Sequence, residues 1–532
     1  MDLVGLAFVA LFYLVILVGG LWMARQKGAF KPDSWEDLVL AKRELGLCLG
    51  IFTLIATEVG GAFVNGTAEE VFNRGLLWCQ APIGYSLSMT INGLFIVPKL
   101  RAKKYVTCID SLQDAYGQTM GGLIYLPSCI GDICWTAAVL SALGSSLSVI
   151  LDLDIRVSII GSALIAITYT LWGGMYSVAF TDMIQITFIF GGLWLAIPFM
   201  VTAQGVNLQE LSIKDWTGEI HGKEWISYID GFLLILCGGI PWQPYHQRAL
   251  AVTSTKRAQI LSVMSTIGCL TLMIPPVMIG GIAKATNASM YQSQISFESN
   301  PSNILPESLY YLTPYWVSVF GLAAISAAAM SSVDSSLLSG ASYLTHNIYS
   351  GIYRKSHSSK SDNVKVFRIS VLVLGFCSTL LSLSTSTIYG LWILAGDLGY
   401  VVVFPQFIAS IYFPEKLSFY GSLTAGIVSI VLRLLIGEEM IGLPATLDTS
   451  NFLFPIKSKH DPLPRDHNCD WGDHKIDIQR VIPSPTRDCI LLPHNCNLAI
   501  LTYLLPIRHL QPLFQITPVL NNNIEHKLFQ PL

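Results

Sequence analysis

The segment Leu54-Ile-Ala-Thr-Glu-Val-Gly-Gly-Ala-Phe63 places a charged residue and two glycines inside an apolar run at 46–70. A second run, at 227–250, contains Gly238-Gly-Ile-Pro-Trp242. Glycine pairs and proline release backbone amides and carbonyls from helical hydrogen bonds, and these groups then need other partners. Two membrane-length runs that are both interrupted are typical of the broken helices around binding sites in secondary transporters. The alternative is that the glycines only let continuous helices pack closely.

The composition indicates that lipid is the main solvent of the protein surface. Of the 532 residues, 52% are hydrophobic and 13% are charged, and the mean hydropathy is +0.54. A soluble domain carries about a quarter charged residues. The net charge is -3 and no basic block is present, so the sequence does not predict a nucleic acid partner. No metal-ligand cluster and no nucleophile with an evident base lies in the apolar runs, and we therefore expect that the protein is not an enzyme.

The apolar runs predict twelve membrane-spanning helices, because a bilayer core needs about 20 apolar residues per helix. They lie at 3–24, 46–70, 76–98, 121–150, 156–173, 177–201, 227–250, 259–283, 314–347, 369–388, 390–413 and 418–437. Each broken run begins a block of five spans, and an odd number of spans inserts the two blocks with opposite orientation. This predicts an all-α polytopic membrane protein with a core of two inverted five-helix repeats. The predicted parts are a first helix at 1–25, repeats at 46–201 and 227–388, peripheral helices at 389–440 and a divergent polar tail at 441–532.

Lysine and arginine are concentrated in alternate short loops, which indicates the orientation in the membrane. These loops contain the basic residues of 25–43, 99–104, 248–257 and 354–368. The positive-inside rule assigns them to the cytoplasm and the N-terminus to the outside. The sequon Asn287-Ala-Ser289 then falls in an outside loop, where Asn287 is a candidate glycosylation site.

Acidic residues and small hydroxyl residues inside the spans are candidates for function. Carboxylates at membrane depth cost about 2.5–3.5 kcal/mol each on insertion scales, and five are present: Glu58, Asp132, Asp182, Asp334 and Asp397. The segment from Ala327 to Ser336 combines alanines and serines. Its hydroxyls, facing the free carbonyls of the break at 55–61, would form an all-oxygen site for sodium. The alternative is a packing seam of small residues.

Four aromatic residues lie well inside the predicted spans: Tyr85, Trp135, Trp242 and Trp392. Aromatic faces attract quaternary ammonium groups by cation–π interaction, worth up to about 2 kcal/mol each when desolvated. Trp242 directly follows the second break, which places it at the predicted binding site. The alternative is that each ring only contributes to packing.

Five segments resemble the choline branch of the sodium–solute symporter family: Asn65–Glu69, Gln80–Ser88, Gly238–Gln243, Ser326–Ser336 and Tyr389–Trp392. The resemblance covers residues 1–440 in order and spacing. It implies a leucine-transporter-like core and sodium-coupled, chloride-dependent uptake of choline across the plasma membrane. It also implies a supply of choline for acetylcholine synthesis, with localisation to the presynaptic terminals and synaptic vesicle membranes of cholinergic neurons.

The resemblance assigns roles to particular residues. It implies a choline cage at Tyr85, Trp135, Trp242 and Trp392, and sodium ligands at Ile55, Glu58, Ala328, Ser331, Ser332 and Asp334. The choline branch usually has tryptophan where this chain has Glu58, whose carboxylate would replace an aromatic wall with a negative charge. The chain also departs from the family after about residue 447.

Three interpretations follow from these observations. The first is the choline symporter, with choline and the lipid bilayer as partners and a homo-oligomer compatible with the sequence. The second is a symporter for another organic cation or a zwitterion, with Glu58 as the counter-charge. The third is a non-transporting sensor or regulatory homologue.

Overall fold

The computed structural model describes residues 3–26, 35–151, 153–222, 224–291, 295, 297, 300–354, 359–385 and 387–436. Over these ranges the chain is helical, with isolated bridges and no strand. Eight of the described helices are long and apolar enough to cross a membrane, or nine if the bent pair at 47–73 counts as one span. The predicted all-α membrane fold is confirmed. The predicted tail at 441–532 lies outside the described residues.

The described helices vary widely in length. They are α1 Leu3–Gln26, α2 Trp35–Leu40, α3 Leu47–Glu58, α4 Gly61–Asn73, α5 Ala81–Ile91, α6 Val97–Ala102, α7 Ile109–Tyr116, α8 Gln118–Leu151, α9 Ile155–Val201, α10 Ile213–Thr217, α11 Glu224–Gly238, α12 Gln243–Ala251, α13 Thr255–Lys284, α14 Ile304–Leu312, α15 Tyr315–Tyr343, α16 Lys360–Ser382, α17 Ile388–Leu398, α18 Phe404–Tyr412 and α19 Phe419–Ile436. Three π-helical segments, Asn92–Ile96, Leu344–Tyr353 and Gly399–Val403, continue α5, α15 and α17.

Both predicted helix breaks are present. Helices α3 and α4 meet at 47°, because Val59 and Gly60 leave the helical conformation between them. In the other break, residues 239–242 separate α11 from α12. The interpretation of these runs as continuous helices is therefore wrong. The predicted inverted relation of the two blocks stays a prediction.

Helix α15 lies at the centre of the bundle and packs against α9, α8, α3 and α4. Its small side chains allow close contact. A Cβ added to Gly60 would lie 1.9 Å from Ser332 Oγ, and one added to Gly192 on α9 would lie 2.7 Å from the Cβ of Ala324. Small residues permit this approach between helices in a membrane, where packing replaces the hydrophobic effect as the driving force.

The basic loops meet at one end of the bundle, here named the basic end. Arg43 donates to the carbonyls of Lys104 and Tyr105 at 3.0 and 2.9 Å. Arg101 donates to the carbonyls of Ala249 and Leu250, both at 3.0 Å. Described residues of three of the loops that the sequence assigns to the cytoplasm are therefore neighbours in space.

Loops of the other set meet at the opposite end. Trp78 Nε1 donates to the carbonyl of Glu219 at 3.0 Å, and the Asn207 amide donates to the carbonyl of Ala285 at 3.0 Å. The candidate glycosylation site Asn287 also lies here and is exposed. Its Oδ1 accepts from the Ser289 amide, so the sequon is in a turn at the surface. Glycosylation of Asn287 stays a prediction.

Arg248 differs from its prediction. The sequence places it in a basic loop, but its side chain is completely buried. Asp182 is buried with it, and the Arg248 Nη2 atom lies 3.6 Å from Asp182 Oδ2. The assignment of Arg248 to a solvated loop is wrong because helix α12 carries it inward to a carboxylate on α9.

Candidate functional site

The four predicted aromatic residues form one cluster, here named the aromatic cluster. The Tyr85 ring centroid lies 6.4 Å from Trp135, 6.2 Å from Trp242 and 5.6 Å from Trp392. Trp135 lies 5.8 Å from Trp242 and 5.5 Å from Trp392. The rings come from α5, α8, the second break and α17, so four separate segments meet at one point. Three of these five ring pairs are edge-to-face, one is stacked and one is tilted, and edge-to-face and offset-stacked arrangements suit aromatic pairs.

A cavity lies beside the aromatic cluster, and Tyr343 in its wall contacts Cys108, four residues after Lys104 of the basic end. Tyr85, Trp135 and Trp242 contribute to its wall, together with Asp132 and Tyr343. One carboxylate and three of the four rings therefore line one space. Trp392 lies behind the wall, completely buried.

A carboxylate holds the start of the helix that carries Trp392. Glu69, on α4, is buried and accepts from Thr387 Oγ1 at 2.7 Å and from the amides of Ile388 and Tyr389 at 3.1 and 3.3 Å. The first amides of a helix have no partner within the helix, and a carboxylate satisfies them well. We name this contact the Glu69 clasp. It joins the second half of α4 to the start of α17.

The sequence included Glu69 only as part of a quoted segment. Its contact with α17 spans 319 residues of chain at Ile388. The available signal was a carboxylate in a membrane-length run, and the same signal identified Glu58 and Asp132.

Hydroxyls of α15 meet the end of α3 at the predicted sodium site. Ser331 Oγ donates to the Ala56 carbonyl at 2.8 Å, and Ser332 Oγ donates to the Thr57 carbonyl at 2.9 Å. The Ala328 carbonyl also accepts from Ser331, at 2.9 Å. These contacts bring together oxygen atoms of the kind that a hard cation prefers.

The remaining predicted sodium ligands are at the break or beyond it. Ile55 and Glu58 are in the last turn of α3, where their carbonyls accept from Val59 and Gly60 at 2.8 Å each. Asp334 faces another neighbour: its Oδ1 accepts from Thr170 Oγ1 on α9 at 2.7 Å. The structure therefore places the Asp334 carboxylate apart from the Ser331 and Ser332 hydroxyls.

The Glu58 side chain is buried at the first break. It is 2% exposed, and its Oε1 atom has no hydrogen-bond partner among the described residues. Glu58 is not one of the residues lining the cavity. The structure thus places the Glu58 carboxylate near the predicted sodium site and outside the cavity wall.

The comparisons with known proteins assign the chain to a family. The model of the sodium:solute symporter family matches residues 38–429. The chain belongs to this family.

Curated relatives give the comparison more detail. The chain is 45% identical to "High-affinity choline transporter 1" of Drosophila melanogaster over 86% of this chain and 76% of that protein. It is 43% identical to the Homo sapiens protein of that name, over 82% of this chain and 77% of the relative. A solved sodium-coupled sialic acid symporter has a TM-score of 0.69 at 19% identity, covering 82% of this chain and 92% of that one. This likeness shows that the two proteins share a fold.

This member of the symporter family also has a buried charge network beside the candidate sodium site. Arg248 Nε donates to Thr53 Oγ1 at 3.1 Å, and its Nη2 atom donates to Ser335 Oγ. Thr53 Oγ1 in turn donates to Asp182 Oδ2. The network joins α3, α9, α12 and α15, and the sequence did not identify it as a site. Its signals were Asp182 within a span and Arg248 soon after the second break.

Proposed function

We propose that this chain takes up choline across the plasma membrane, coupled to sodium. The observation that carries the proposal is the aromatic cluster beside a cavity lined by a carboxylate. Choline presents a trimethylammonium group without hydrogen-bond donors, and aromatic faces bind such a group by cation–π attraction. Tyr85, Trp135, Trp242 and Trp392 are the proposed cage. The family membership and the relatives named choline transporter support this substrate.

In the proposed mechanism, sodium binds between α3 and α15. Its ligands are the carbonyls of Ile55, Glu58 and Ala328 and the hydroxyls of Ser331 and Ser332. Binding there holds the first break against α15, next to the cage. Sodium and choline should therefore raise each other's affinity by the same factor.

The proposed transport cycle is alternating access, in which two halves of the bundle move around a fixed site. By the positive-inside rule, the basic end faces the cytoplasm. The cavity lies on that side of the rings, and the Glu69 clasp lies on the opposite side, at the start of the helix that carries Trp392. The described arrangement thus suits release of substrate to the cytoplasm.

We further propose chloride dependence and a role in supplying choline for acetylcholine synthesis, at presynaptic terminals and in synaptic vesicle membranes. These properties rest on the resemblance to the choline branch. Asp334 remains proposed as a further sodium ligand, although its carboxylate is bonded to Thr170.

A second candidate is uptake of an organic cation that carries N–H groups. The observation that favours it is the buried, unpartnered Glu58 Oε1 atom. A primary ammonium group that bound at the first break, outside the cavity wall, could donate to this oxygen, whereas trimethylammonium cannot. Competition by ethanolamine at concentrations comparable to choline would favour this candidate, and weak competition would favour choline.

The first prediction concerns the cage. In cells that express the chain, radiolabelled choline uptake should depend on sodium. Trp135→Ala should raise the KM for choline by about tenfold, because one desolvated cation–π contact is worth up to about 2 kcal/mol. Trp194→Ala is the matched control, because Trp194 lies on α9 and contacts Phe190 instead of the cage. An equal change in KM for both variants, or no sodium-dependent uptake by the parent at the cell surface, would contradict the proposal.

The second prediction concerns the sodium site. Ser332→Ala removes one proposed ligand, and the sodium concentration for half-maximal uptake should rise by about tenfold, the loss expected for a hydrogen bond or ligand worth about 1.5 kcal/mol. Ser342→Ala is the control, since Ser342 is equally buried on α15 and donates within the helix to Leu338. The measurement is uptake against sodium concentration at fixed choline. Equal sodium dependence in both variants would remove Ser332 from the site.

A further inference from the structure

The carboxylate of Asp132 has a position in the cavity wall that the cage does not explain. Asp132 lies on α8 three residues before Trp135, so the two side chains share one face of the helix. Both line the cavity together with Tyr85 and Trp242. A negative charge is thus placed among the rings that are proposed to hold a cation.

Asp132 has no compensating positive charge within the described residues. Its Oδ2 atom is buried and has no hydrogen-bond partner there. Three other buried carboxylates have an arginine: the pairs are Asp182 with Arg248 at 3.6 Å, Asp397 with Arg433 at 2.7 Å and Glu70 with Arg74 at 3.5 Å.

Helix α15 passes close to Asp132. Gly340, on α15, has no side chain, and a Cβ added there would lie 3.5 Å from Asp132 Oδ2 and 2.7 Å from Leu374 Cδ1. Glu58 also has an unpartnered oxygen, but it does not line the cavity. Asp132 is therefore the carboxylate that a molecule in the cavity would contact.

A buried carboxylate is costly unless a positive charge accompanies it. A cationic substrate supplies that charge when it enters, and its loss of water is then offset by both the rings and the carboxylate. Rings alone accept neutral apolar groups of the same shape with little penalty. A carboxylate in the wall favours binding of a cation over its neutral isostere, because the neutral molecule leaves the negative charge of the carboxylate uncompensated.

We propose that Asp132 is the specificity-determining residue that makes the cavity select a cation, namely a quaternary ammonium alcohol. The inference rests on the proposed function and adds the group that recognises charge. The choline hydroxyl or the trimethylammonium group faces the carboxylate, and the rings enclose the methyl groups.

The test compares choline with 3,3-dimethyl-1-butanol, which has the same shape with carbon in place of the charged nitrogen. Both are used as competitors of radiolabelled choline uptake at saturating sodium. In the parent chain choline should compete much more strongly. Asp132→Asn should lower the ratio of the inhibition constant of 3,3-dimethyl-1-butanol to that of choline by about tenfold. Asp132→Glu should preserve this ratio.

Glu70→Gln is the matched control, since it alters another buried carboxylate that lies outside the cavity wall and outside the proposed sodium site. It should change the ratio by less than about threefold. An unchanged ratio in Asp132→Asn, or a larger fall in Glu70→Gln, would overturn the inference. A merely structural role of Asp132 would weaken both competitors equally and leave the ratio unchanged.

Asp132→Glu also tests the inference if Asp132→Asn does not reach the cell surface. It moves the carboxylate one methylene further into the cavity, so triethylcholine should lose more affinity than choline. Equal effects on the two would overturn the inference. Failure of this inference can be distinguished from failure of the proposed function, because the second failure would appear as absent choline uptake by the parent chain.

Discussion

Replacing Arg248 by methionine is expected to destabilise the folded protein by about 3–5 kcal/mol, because the substitution leaves Asp182 as a buried charge without a partner. Arg248 is completely buried and bonds to Thr53, to Ser335 and to the Pro244 carbonyl. Methionine has similar length and fills much of the same volume, so packing alone predicts a small effect. The measurement is the thermal unfolding of the detergent-solubilised protein, together with its amount at the cell surface.

The double variant separates charge from packing. Arg248→Met combined with Asp182→Leu removes both charges, and apolar replacement of a buried ion pair is often neutral for stability. The double variant should therefore recover much of the lost stability. Arg257→Met is the surface control, since Arg257 is exposed at the same end, and its effect should be within about 0.5 kcal/mol. If the double variant is as unstable as the single one, the unpaired charge is not the cause.

The sequence predicted those parts of the fold that depend on local pattern. The glycine pairs located both breaks, because a helix interruption is encoded by adjacent residues. Helix ends were less accurate: the span predicted at 369–388 begins at Lys360. Hydropathy measures only the part of a helix that crosses lipid, and polar residues continue α16 beyond it.

The sequence also predicted only part of the candidate site. Aromatic residues at membrane depth were recognised individually, and the structure brings all four rings together. The Arg248 network was missed because its partners are distant in sequence: Ser335 and Arg248 are 87 positions apart. A charged residue near the end of an apolar run has the same local pattern whether it is solvated or paired. For the same reason the sequence could place Asp132 on the face of Trp135 without showing the cavity that both residues line.

The close approach of α15 to the first break leads to the last prediction. Gly60→Ala should abolish most sodium-coupled uptake, by at least about tenfold, because a Cβ at Gly60 would lie 1.9 Å from Ser332 Oγ and 2.6 Å from Ser332 Cβ. The first break and α15 would have to separate, and the Ser332 hydroxyl would lose its hydrogen bond to the Thr57 carbonyl. The measurement is uptake as a function of sodium, normalised to protein at the surface.

Two further variants show whether this loss comes from the contact between the first break and α15. Gly46→Ala, at the start of α3, introduces the same methyl group where no atom lies within 4 Å, and it should leave uptake near that of the parent. Gly60→Ala combined with Ser332→Gly removes the collision and the proposed sodium ligand together. It should regain stability in detergent without regaining sodium affinity, since the space is restored and the hydroxyl is not. Recovery of sodium affinity in this double variant would show that Ser332 only packs against the break, and the ion would then have to be held by the backbone carbonyls of α3 and by Ser331.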